Sequence, residues 1–151
     1  MLSVPNNPVL RVVAVLAVFV AVHVSQGNAQ SVTDRDAVLA LNTEFYRAFR
    51  ESDIAAMDRV WSEQEPVAVK HPSSGRIDGR DAVLKSWAQI MRRPPDISCD
   101  VEAIRFSDGG WAVTCLEHLN PGSVRMINIF RKDAGEWKMI YHGPAPAAES
   151  V

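Results

Sequence analysis

The chain has 151 residues, of which 47% are hydrophobic, 23% charged and 7% aromatic, the make-up of one ordinary globular domain rather than of a disordered, collagen-like or disulfide-dense chain. Lys and Arg number 16 against 18 Asp and Glu, for a net charge of −2, so no basic surplus exists to neutralise phosphates and no nucleic-acid partner is expected.

Arg11 is followed by an almost unbroken apolar run, Val12 to Val24, then by Ser25-Gln26-Gly27-Asn28 and the small Ala29. A positive start, an apolar stretch of roughly 7–15 residues and small residues at 27 and 29 form the layout of a signal peptide cleaved after Ala29. The run is shorter than the ~20 residues that cross a bilayer, so no membrane association is expected after cleavage; an uncleaved N-terminal anchor is the alternative. The expected organisation is a signal peptide over 1–29, one domain over 30–146 and a disordered tail over 147–151, exported to the periplasm or secreted.

From Thr33 onward, Val38, Leu41, Phe45 and Phe49 recur at helical spacing, with Thr33 as cap and Asp36 three residues later. Ser52 or Asp53 caps a second helix with Ile54, Met57, Val60 and Trp61 as its apolar stripe, running to about Ser62. Val67 to Val69 can form a short strand, and His71-Pro72-Ser73-Ser74-Gly75 reads as a loop. A third helix opens after Asp78-Gly79, lines its inner face with Val83, Leu84, Trp87, Ile90 and Met91, and stops at Pro94-Pro95. Four strands follow, Ile97–Phe106, Trp111–Leu119, Val124–Lys132 and Glu136–His142, separated by Asp108-Gly109-Gly110, Asn120-Pro121-Gly122 and Asp133-Ala134-Gly135. Helices first and an antiparallel meander after them give an α+β fold, with three N-terminal helices packed on a curved antiparallel sheet. Such a sheet leaves a cone with an open mouth that a small molecule can enter.

Export calls for a disulfide check on Cys99 and Cys115. If Asp108-Gly109 is a two-residue hairpin turn, Ser107 faces Gly110 and Cys115 faces Glu102. Cys99 then lies three rungs off, about 10 Å away, beyond the ~7 Å limit on Cα separation. Both cysteines are therefore expected to be unbridged.

The order of elements, with Trp61, His71-Pro72, Gly79, Ser86-Trp87-x-x-Ile90, Val113-Thr114-Cys115-Leu116-Glu117, Asn128-Ile129-Phe130 and Trp137-Lys138-Met139-Ile140-Tyr141-His142, resembles the SnoaL-like branch of the nuclear transport factor 2-like superfamily, over about Asp34 to Pro146. The resemblance implies an α+β cone, usually a homodimer through the sheet. It spans function classes: ketosteroid isomerase, cyclases, dehydratases and non-catalytic binding or assembly domains. Against ketosteroid isomerase, the position of the base is similar to His71 and the oxyanion-holding position to Asn128. The helix Tyr position falls on Phe45, with Tyr46 adjacent.

The candidate catalytic residues are His71, by its near-neutral acidity, Asn128, whose amide can hold a developing oxyanion, and Glu117, a carboxylate on the apolar face of Val113 and Cys115. Tyr46, Trp61, Trp87, Phe130 and His142 are the candidate ligand-binding residues. His118 alternates to the opposite face from Glu117. The alternative for Glu117 is a strand-end pair with Arg125 or Arg105. There is no H-x-H, H-E-x-x-H, C-x-x-C or G-x-S-x-G spacing and no Gly-rich phosphate loop, so neither metal nor cofactor is expected. Three classes remain: a domain binding a small, largely apolar ligand, a cofactor-free isomerase, dehydratase or cyclase, and a dimeric assembly domain.

Overall fold

Turn chemistry sets the frame. In a computed structural model, which describes residues 32–64 and 66–146, Asp108 and Gly109 both adopt positive φ, 51° and 75°. These are the values of the two-residue turn whose twist matches that of the strands it joins, and Ser107 duly faces Gly110. Ala134 and Gly135, at φ 50° and 90°, make the same kind of turn between Asp133 and Glu136. The hairpins they close run through β3 (Ser98–Ser107), β4 (Gly110–His118), β5 (Ser123–Asp133) and β6 (Glu136–Pro144).

Two short strands complete the sheet. β1 (Ala68–Lys70) lies parallel to β6, and β2 (Arg76–Asp78) pairs antiparallel with β1, in the order β2-β1-β6-β5-β4-β3. The sheet is curved and unclosed. Bulges at Glu102 in β3 and at Ile140 in β6 supply local twist and bending.

Three helices accompany it. α1 is helical over 32–50, α2 spans Ile54–Val60 and α3 spans Arg80–Ile90. Residues from Asp36 onward form one unit. α1 buries Val38, Asn42, Phe45, Tyr46 and Phe49, a stripe at three- and four-residue spacing. Asp53 caps α2, its Oδ1 accepting from the Ala56 amide at 2.9 Å. α3 starts from Gly79, whose φ of 89° favours glycine.

Several expectations are corrected. Thr33 is already helical and is not the cap. α2 ends at Val60 because Trp61 turns to extended backbone and bridges to Met139. The helices do not all precede the strands, since the β1–β2 hairpin separates α2 from α3.

The cysteines form a disulfide, with Cα atoms 5.5 Å apart. The bulge is the reason. Glu102 is skipped in the pairing, so Cys115 faces Val101 rather than Glu102, and Cys99, opposite Glu117, is brought one rung nearer. Residues 1–29 and 147–151, the expected signal peptide and tail, lie outside the described residues.

Candidate functional site

Alternation along the strands turns Val113, Cys115 and Glu117 of β4 to the buried face, beside Met126, Asn128 and Phe130 of β5 and His142 of β6. Polar groups on that face must pair with one another or with α1. A cavity of about 340 Å³ opens there, within the usual range for small-molecule sites. Phe45, Tyr46 and Phe49 of α1, Trp87 and Ile90 of α3, and Glu117 and His142 of the sheet line it. His71, Pro72 and Ser73 of the β1–β2 loop complete its rim, with Pro95, Ile97 and Leu119. No lysine or arginine is among these residues.

Glu117 is 2% exposed. Burial raises its pKa to about 7, against the opposing pull of Tyr46, whose hydroxyl donates to Oε1 at 2.5 Å. The Tyr46 phenol is itself pushed well above its ordinary range by burial and by the neighbouring Glu117. Arg125, one expected partner of Glu117, instead holds the bulge residue Glu102 at 2.6 Å.

The two imidazoles are neutral. His142, buried in the cavity wall, is lowered to about 3 by desolvation and then by His71, so the 4.0 Å approach of its Nε2 to Glu117 Oε1 is not an ion pair. His71 is lowered by burial. Its Nε2 lies 3.1 Å from Ser86 Oγ, whose own proton goes to the Val83 carbonyl at 2.7 Å. The His71 proton therefore sits on Nε2 and leaves Nδ1 with a lone pair. Trp87 separates the two rings, at 4.7 Å from His71 and 5.3 Å from His142 between centroids.

Of the residues singled out in the sequence, His71, Glu117, Tyr46, Trp87 and His142 meet at this cavity. Asn128, Trp61 and Phe130 do not line it. Trp61 and Phe130 are fully buried core, and the extended backbone of Trp61 lies beside β6, bridged to Met139. Asn128 stands behind the wall, its Nδ2 donating to Asn42 Oδ1 at 2.8 Å and its Oδ1 accepting from His142 Nδ1 at 2.7 Å. Its amide is already satisfied and is not presented as an oxyanion donor. His118 is on the opposite face, bonded to Ser123 and Asp100. Among the described residues, no three His, Cys, Asp or Glu side chains converge as metal ligands.

Sequence reasoning missed Asn42. The signal was available: a polar residue four positions after Val38 and three before Phe45, inside an apolar stripe.

A protein-family model for the SnoaL-like domain matches residues 38–148. Among curated proteins, the F-box protein SKIP8 of Arabidopsis thaliana is 29% identical over 111 residues, covering 70% of this chain and 48% of that protein; the chain thus spans about half the length of that relative. Among solved structures, a candidate dehydratase of the NTF2-like family from Streptomyces avermitilis is 25% identical, with a TM-score of 0.61 over 76% of this chain and 98% of the other. A candidate calcium/calmodulin-dependent protein kinase type II association domain from Thiobacillus denitrificans is 22% identical, with a TM-score of 0.61 over 71% and 94%. The fold is that of the NTF2-like proteins, and the chain belongs to the SnoaL-like domain family.

Proposed function

We propose that the cavity binds a small, uncharged, largely apolar molecule and that Glu117 exchanges a proton with it. One observation carries the reading: a buried carboxyl group, its pKa pushed up to about 7 by that burial, lines the cavity. An ordinary carboxyl is almost wholly ionised at neutral pH, whereas this one populates both forms and is suited to give and take protons. His71, with its lone pair on Nδ1, is a second acceptor for a ligand hydroxyl or a transferred proton. Asn128 then acts from behind the wall rather than on the substrate. With no lysine or arginine in the lining, an anionic ligand would give up its hydration without a counter-charge, which favours uncharged molecules.

The name of the Streptomyces neighbour agrees with chemistry of this class, an isomerase, dehydratase or cyclase working without a cofactor. A homodimer through the sheet is the accompanying proposal, supported by the half-exposed outer face of Ala112, Leu116, Ile127 and Ile129 and by the association-domain neighbour. Export to the periplasm or secretion is proposed from the apolar run Val12 to Val24.

The test is a titration with uncharged cyclic ketones and with carboxylate analogues of matched size, followed by tryptophan fluorescence, then by deuterium incorporation next to the ketone carbonyl. The ketones are expected to bind and the carboxylates not, and Glu117→Gln should abolish incorporation. Preferential binding of carboxylates, or incorporation untouched by Glu117→Gln, overturns the reading.

A further inference from the structure

A line of hydrogen bonds runs behind the cavity from the disulfide to Glu117, and its two ends are chemically unequal. The disulfide sulfurs hold no proton and can only accept; Asn42 Nδ2 lies 3.9 Å from Cys99 Sγ and 3.7 Å from Cys115 Sγ. This turns Asn42 Oδ1 to Asn128 Nδ2 at 2.8 Å, and Asn128 Oδ1 to His142 Nδ1 at 2.7 Å. A neutral imidazole that donates from Nδ1 carries a bare lone pair on Nε2, the nitrogen 4.0 Å from Glu117 Oε1. Reversing both amides would set Asn42 Oδ1 against sulfurs with nothing to donate, and would place an Nε2–H before Glu117. The Tyr46 hydroxyl, 3.4 Å from Asn128 Nδ2 while it donates to Glu117, favours the direction observed.

We propose that Asn42 is a positioning residue: braced against the Cys99–Cys115 disulfide, it fixes the direction of the Asn128 amide and so makes His142 turn an unprotonated nitrogen towards Glu117. Of the titratable groups around Glu117, namely Tyr46, His142 and, across Trp87, His71, only Tyr46 then donates to the carboxylate, so its protonated form is favoured. The functional meaning rests on Glu117 being the acid–base group, but the position of the ring proton does not.

The brace is redox-sensitive. A dithiol reductant passes two electrons and two protons to the disulfide and closes to its own disulfide, leaving Cys99 and Cys115 as thiols. Cys115 Sγ, 4.0 Å from Asn42 Oδ1, then has a proton to give, and the reversed line becomes satisfiable.

Nitrogen NMR of the His142 ring and carbon NMR of the Glu117 carboxyl in the full chain test this without substrate. The oxidised protein is expected to show one neutral His142 form, with its proton on Nδ1. Asn42→Leu should add a form protonated on Nε2 and bring the Glu117 midpoint below about 7. Asn42→Asp at pH 8, which keeps an acceptor facing Asn128, should restore the single form. Dithiothreitol should add the Nε2–H form in the unmodified protein but not in Asn42→Asp. An unmodified, oxidised protein with the proton on Nε2 overturns the proposal, even if neither variant folds. So does an Asn42→Leu protein indistinguishable from it, or a ring indifferent to dithiothreitol. Should the ring respond as stated while Glu117→Gln still incorporates deuterium, the positioning stands and the proposed function fails.

Discussion

Replacing Glu117 by glutamine keeps the side chain's shape and removes its proton equilibrium, which isolates the group on which the functional reading depends. An unfolded glutamate titrates near its ordinary value of 4.5, and the folded group near 7. At about 1.36 kcal/mol per unit of difference, folding disfavours the carboxylate by about 3 kcal/mol. The folded value is the higher one, so between these two values the native state binds more protons than the unfolded state. This contribution is fully present below pH 4.5 and is lost as pH rises through 7. His142 runs the other way. Its value falls from 6.5 to about 3, so its contribution is present above pH 6.5 and is lost as pH falls towards 3. The two oppose each other between pH 4.5 and 6.5 and flatten the profile of the unmodified protein. The difference between Glu117→Gln and the unmodified chain removes the histidine share. That difference should grow in favour of the variant by about 3 kcal/mol from pH 4.5 to 8. In urea unfolding it is a relative midpoint shift of roughly 1–3 M. A stability difference that stays level across this range would mean that Glu117 titrates as a solvated carboxyl, and the acid–base argument would fall with it.

Tyr46→Phe removes the donor 2.5 Å from Glu117 Oε1, and because that donor favours the carboxylate, the Glu117 midpoint in a carbon NMR titration should move above 7; a downward move refutes the assigned geometry. Cys99→Ala with Cys115→Ala opens a cross-link between positions 16 apart in sequence, and urea unfolding under oxidising conditions should record a loss of about 3 kcal/mol. An unchanged midpoint would show that the cross-link does not restrain the unfolded chain.

Much of this architecture was legible because the residues that enforce it are local. Asp108-Gly109 and Ala134-Gly135 take positive φ at both turn positions, a conformation that the glycines adopt at no steric cost, and those turns align β3 with β4 and β5 with β6. The β1–β2 hairpin was half hidden, since Arg76-Ile77-Asp78 is only three residues long and two of them are exposed, too brief for a period to register. The disulfide is hidden for a different reason: the two-residue-turn register holds from Ser107 to Ala103, and a single extra residue at Glu102 removes one of the three rungs that it sets between the cysteines. Residue type does not announce a bulge. Glu117 could be found because its alternation with Val113 and Cys115 puts a carboxylate on an apolar face. Trp61 and Phe130 could not be told from wall residues, because an aromatic on an inner face serves core and cavity alike. Asn42 is hard to see because a helical stripe is read by its apolar members, and this polar one joins α1 to Asn128 behind the cavity rather than at its wall.

The energetics of that site run against stability, which bears on why such a set of groups is there. At pH 8 the buried Glu117 costs about 3 kcal/mol, a large share of the 5–15 kcal/mol that holds an ordinary domain together. Two imidazoles kept neutral add a penalty that grows as pH falls. Apolar residues of similar volume would fill the same space without either cost, as replacements of buried charged groups commonly do. Asn42, Asn128 and Tyr46 do not lower the cost by neutralising Glu117; they satisfy one another in an order that leaves it a single donor. What the arrangement gains is a carboxyl group divided between its two protonation states at neutral pH, enclosed with apolar walls and beside a second lone pair on His71. That gain has no use in a core and a direct one in moving a proton.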